Sequence, residues 1–63
     1  MKLKELKNVI HDDAHIAITY KNSTELPLFY NSWRECKNDL KKEAWNMEVT
    51  LNSNAGIEIV FDM

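Results

Sequence analysis

The chain of 63 residues contains one cysteine, one glycine, one proline and, in Arg34, one arginine. Each scarcity excludes something. With Cys36 alone no intramolecular disulfide can form, which removes the disulfide-stapled scaffolds of small secreted domains and points to a reducing, cytoplasmic setting. A single glycine, Gly56, cannot write a phosphate-binding loop or a dinucleotide fingerprint. No apolar run approaches the roughly 18 residues of a membrane span, and no apolar core of a secretory leader follows Met1-Lys2-Leu3-Lys4-Glu5. A soluble protein with no membrane partner is expected. Charge of one sign is lacking too. Eight Lys and Arg against ten Asp and Glu give a formal net charge of -2. That is far from the basic balance of typical nucleic-acid binders and from the acidity of a protein that imitates DNA by charge.

What is present is ordinary globular material. Hydrophobic residues make up 44% and charged residues 29% of the chain, which argues against disorder and coiled-coil composition. Residues 1–63 make one small domain, because a chain this short buries only about 60% of its unfolded surface and has no room for two cores. Such a core is marginal, and a second copy paired through sheet edges or faces would add to it. A homodimer is therefore one expected partner.

Hydrophobic period divides the chain. Leu3, Leu6 and Ile10 share one stripe, predicting a helix over Lys2 to Ile10 that stops at the turn-forming His11-Asp12-Asp13. From Ala14 the period becomes two, with Ala14, Ile16, Ile18 and Tyr20 on one face of a first strand. Leu26, Leu28 and Tyr30 continue as a hairpin partner, and Pro27, which lacks a backbone donor, places that strand at the edge of the sheet. Ser32 and Glu35 read as a capping box opening a second helix, with Trp33, Cys36, Leu40 and Ala44 as its apolar stripe. Trp45, Met47, Val49 and Leu51 alternate as a third strand. Ser53-Asn54-Ala55-Gly56 is a turn, and Ile57, Ile59 and Phe61 form a fourth strand. The order α-β-β-α-β-β predicts a two-layer α+β domain, one antiparallel four-stranded sheet packed against two helices. Its outer face would carry His15, Ala17, Thr19, Phe29, Glu48, Thr50, Glu58 and Val60. Phe29, Ala17 and Val60 are the apolar members, and together they form a candidate partner-binding patch.

Three other constellations bear on chemistry. His11 and His15 stand four apart with carboxylates between them, the spacing of a metal-binding helix. The helix has ended there and no third ligand is spaced to complete a site unless a second subunit supplies it, so the favoured reading is a solvated turn with no metal and no cofactor, and a metal-dependent site at His11 and His15 is the third reading. Cys36 sits on an apolar stripe, where a small core residue is expected rather than a nucleophile. Lys4, Lys7, Arg34, Lys37 and Lys41 form basic stripes on the two helices and, with Trp33, Tyr30 or Phe29 stacking on bases, make nucleic-acid binding the alternative function. With no catalytic signature and little room to wall off a substrate pocket, an enzyme is not expected.

The pattern Met1-Lys2-Leu3-Lys4-Glu5-Leu6, Ile10, Asp12-Asp13, Ile16 and Ile18 is followed by a closing hairpin, Val49 to Leu51 and Ile57 to Ile59 across Asn54. It resembles the short orphan proteins of phages and prophages of AT-rich Gram-positive bacteria over most of the chain, with the Lys, Asn and Ile bias of such coding. The resemblance is one of hydrophobic pattern and transfers no functional residue. The role it implies is stoichiometric binding to a host or phage protein complex in the host cytoplasm, most concretely inhibition of a defence nuclease, as by the anti-CRISPR proteins.

Overall fold

A computed structural model describes residues 1–53 and 56–62, folded as a small α+β domain. Its sheet has four strands, β1 (Ile16–Tyr20), β2 (Leu28–Tyr30), β3 (Val49–Asn52) and β4 (Ile57–Phe61), in the spatial order β2-β1-β4-β3. One α-helix, α1 (Trp33–Asp39), and two 3-10 turns, Leu3–Leu6 and Lys42–Asn46, cover one face. Asn54 and Ala55, at the centre of the expected second turn, lie outside the described residues, as does Met63. Gly56, the last residue of that expected turn, has φ 111°, a conformation L side chains rarely adopt.

The expected antiparallel sheet is mixed. Both hairpins form, β1 with β2 and β3 with β4, each antiparallel, but β1 and β4 join them in parallel. The cause is directional. The segment between β2 and β3 leaves one end of the sheet and re-enters at the opposite end, so β2 and β3 run the same way, and so do β1 and β4. The central places go to β1 and β4 because a parallel pair needs burial and these five-residue strands are the richest in Ile, Val and Phe. Pro27 immediately precedes β2, which is an edge strand as its sequence predicted.

The helical layer also departs from expectation. The predicted helix over Lys2 to Ile10 is a single 3-10 turn followed by turns. Leu3 and Leu6, three apart, fit the three-residue repeat of that conformation, and a segment this short has little to propagate an α-helix. Glu5 Oε2 accepts from the Lys2 backbone N–H at 2.7 Å and fixes its start. The second helix begins where predicted, with Ser32 Oγ accepting from the Glu35 N–H at 3.1 Å. It ends at Asp39, because Leu40 takes an extended conformation (φ -73°, ψ 136°). Lys42–Asn46 then turns back, so Trp45 belongs to a 3-10 turn and not to β3.

The core is one cluster. Leu3, Leu6 and Ile10 meet Trp33 and Cys36 over Ile16, Ile18, Val49, Ile59 and Phe61 of the sheet. Trp33 is 0% exposed. Its Nε1–H donates to the Lys7 carbonyl at 3.3 Å, and Trp45 packs edge-on against it at 6.1 Å between centroids.

Coverage is incomplete. Seven residues of α-helix span about 10 Å, and Tyr20, Leu26 and Leu28, expected on the core side, are exposed, Leu26 at 91% and Leu28 at 54%. The two edges differ as well. On β3, Lys2 bridges Glu48, Leu3 N–H donates to the Met47 carbonyl at 3.0 Å and Val49 N–H donates to the Met1 carbonyl at 2.7 Å. On the outer side of β2 no strand pairs among the described residues. No helix among the described residues is long and apolar enough to cross a membrane.

Candidate functional site: the open face of the sheet

Among the described residues no helix or strand lies over the second face of the sheet, and register decides which side chains are neighbours there. Phe29 pairs with Ala17, Ala17 with Glu58, and Glu58 with Asn52, so these four form one row across all four strands. Thr19, Val60 and Thr50 form the next. The three residues expected to form a contact patch therefore share this face, Phe29 directly beside Ala17 and Val60 one row on. Ala17 and Val60 are half-buried, whereas Phe29 is 75% exposed. An aromatic ring left in water on an uncovered sheet is the kind of group that anchors interfaces. A cleft of about 370 Å³ at one end of the face is lined by His15, Ala17, Phe29, Asn52, Gly56 and Glu58, among others.

Glu58 is the member of this face that sequence reading placed but did not single out. Its carboxylate accepts from Thr19 Oγ1 at 3.3 Å and from Asn52 Nδ2 at 3.2 Å. Both donors follow from register: Thr19 lies diagonally across on β1 and Asn52 directly opposite on β3. Nothing in the sequence alone put β4 beside β1, so the row Phe29-Ala17-Glu58 was not visible there.

The basic residues of the alternative reading divide. Lys7, Arg34 and Lys37 line one polar cleft of about 440 Å³, but Asp12 and Asp13 line it with them. Lys37 Nζ donates to Asp12 Oδ1 at 2.7 Å, and Arg34 lies 4.0 Å from Asp12 and 3.8 Å from Asp13. The hydrogen bond from Lys37 holds the Asp12 carboxyl below its usual range. Lys7 and Lys37 also sit over the Trp45 and Trp33 rings, at 5.5 and 5.9 Å from the centroids. Lys41 borders a different groove, beside Tyr20, Leu28 and Leu40, and Lys4 is exposed on the first 3-10 turn. The five do not make one phosphate-binding surface, and three of them have local uses.

His11 and His15 are likewise separated. His11 Nδ1 accepts from the Asp13 N–H at 3.1 Å within the turn, while His15 lines the cleft of the open face. Among the described residues no three His, Cys, Asp or Glu side chains gather as metal ligands. Cys36 is buried in the core, and desolvation pushes its thiol up to about 11, away from the thiolate a nucleophile needs. Tyr30 is raised too, first by burial and then by the hydrogen bond its OH donates to Asp39 Oδ2 at 2.6 Å.

No family model, no curated protein and no solved structure matches this chain.

Proposed function

We propose that the chain is a non-enzymatic binding module that seats the open face of its sheet on a protein partner, one copy to one site. The observation that carries this reading is the placement of Phe29, 75% exposed, beside Ala17 on a sheet face that no helix or strand among the described residues covers. A standard interface takes about 800 Å² from each partner, roughly one sixth of the 4629 Å² surface of this molecule. Four strands at about 4.8 Å spacing and five residues of length give a projected area near 300 Å². The contact therefore continues over the free edge of β2, where Leu26 and Leu28 stand exposed.

The most concrete form of this function is stoichiometric inhibition of a host defence nuclease, such as a CRISPR-Cas effector, by a phage or mobile-element protein. The resemblance in hydrophobic pattern supports that form, which asks of the fold only a rigid scaffold and one contact face. Nucleic-acid binding ranks behind it, because Arg34 and Lys37 face Asp12 and Asp13 instead of presenting free cations.

Capture of partners from host lysate by wild-type and Phe29→Ala protein, with and without nuclease, tests the reading. One protein complex held by the wild type in both conditions and lost with Phe29→Ala is expected. A catch that vanishes on nuclease treatment, or that Phe29→Ala retains in full, would overturn it.

A further inference from the structure

We infer that the row Phe29-Ala17-Glu58 is a slot for an arginine side chain of the protein partner, an inference that rests on the open face being the docking surface. The three residues stand side by side on β2, β1 and β4. Two inter-strand spacings put Phe29 and Glu58 about 10 Å apart at the backbone. The side chain between them is only a methyl group, so the row has two walls and a low floor. All three residues line the cleft of about 370 Å³.

The charge pattern names the occupant. On the same face Glu48 has the amino terminus at 3.1 Å and Asp62 has Lys21 at 3.4 Å. Glu58, half-buried, has two neutral donors, Thr19 and Asn52, and no cationic group within 4 Å among the described residues. A partner that covers Phe29, Ala17 and Val60 also strips water from this carboxylate. A partner that is apolar there would leave the carboxylate desolvated with only its two neutral donors, whereas a cation would compensate its charge. Guanidinium fits better than ammonium. It is planar and weakly hydrated, it can lie on the exposed Phe29 ring, and its fork of donors can reach the lone pairs Glu58 has left.

The test is an NMR titration of the ¹⁵N-labelled protein at pH 7.5 with N-acetyl-arginine amide, with the citrulline amide as its neutral isostere and the lysine amide as its ammonium counterpart. Arginine amide should move the amide resonances of Ala17, Phe29 and Glu58 at millimolar concentration, citrulline amide should not, and lysine amide should bind less tightly. Glu58→Gln should weaken the arginine response about tenfold while the rest of the spectrum stays in place, since the glutamine oxygen can still accept from Asn52 Nδ2 and its NH2 can donate to the Thr19 hydroxyl, which accepts as well as donates. No movement in the row, an equal response to citrulline or lysine, or an unaltered response in Glu58→Gln would each overturn the slot. Partner capture separates the two readings. Loss with Phe29→Ala but not with Glu58→Gln removes the arginine and leaves the docking face, loss with both supports the slot, and retention by both removes the face itself.

Discussion

Ile16, Ile18, Ile59 and Phe61 come from the same two strands as Ala17, Thr19, Glu58 and Val60. The first four are 3% exposed or less, while the second four are all half-buried under water. Backbone and hydrogen bonding are shared between the two sets, so the difference lies in what stands above them. On one side are Trp33, Cys36 and the leucines of the first 3-10 turn; on the other, solvent. A chain of this length has enough helical material to close one face of its sheet, and the face left over is the one free to evolve a contact without cost to the core.

Substitutions on the two faces should therefore separate stability from binding. Trp33→Ala removes a fully buried indole and should cost about 3–5 kcal/mol, comparable with all the stability one small core supplies. Loss of the cooperative thermal transition by circular dichroism is the expected result, and a folded variant would show that the covered face is not the seat of stability. Alkaline pH should act next on the same face. The Cys36 thiol, ordinarily near 9.0, is pushed up to about 11 in the fold. Its contribution is complete below pH 9 and is lost as pH rises toward 11. Denaturation midpoints should fall across that window, and less steeply in Cys36→Ala.

A smaller effect is expected at the rim of the covered side. Asp12 is held below its ordinary value by Lys37. The stability it contributes is present above the unfolded carboxyl value and lost as pH falls through the folded one. Asp12→Asn should lower the thermal midpoint slightly at pH 7 and flatten the decline in acid; an unchanged acid profile would show that the ion pair is fully screened. Smallest of all in stability should be Phe29→Ala, within about 0.5 kcal/mol of wild type as for other exposed sites, although it removes the proposed anchor. A large drop in its midpoint would mean that Phe29 packs as a core residue and would dissolve the contrast between the faces.

How far the fold could be read from the residues follows the same division. Strand alternation and a capping serine are local signals, so all four strands and the start of α1 were legible. So was the edge position of β2, which Pro27 announces chemically. The stop of α1 at Leu40 has no comparable mark, since a leucine continues the apolar stripe and nothing nearby is a breaker. Trp45 and Met47 alternate with Val49 like strand residues although they belong to a 3-10 turn and its cap. The site was half legible. Phe29, Ala17 and Val60 share the open face because period two puts them there, but their neighbours across strands depend on the parallel pairing of β1 with β4, a long-range choice that local pattern does not encode. Glu58 acquired its place beside Ala17 only through that pairing.

That pairing joins segments far apart in the chain, Ile16 to Ile57 at one end and Tyr20 to Phe61 at the other. Each hairpin can assemble early from contacts close in sequence, but the sheet closes only when the last strand is available, after the entropy of the long intervening loop has been spent. Two half-sheets formed in that order would each expose an apolar inner edge. Such edges are the natural sites for one copy to borrow a hairpin from another, so refolding yield should fall with protein concentration before any mature contact surface is involved.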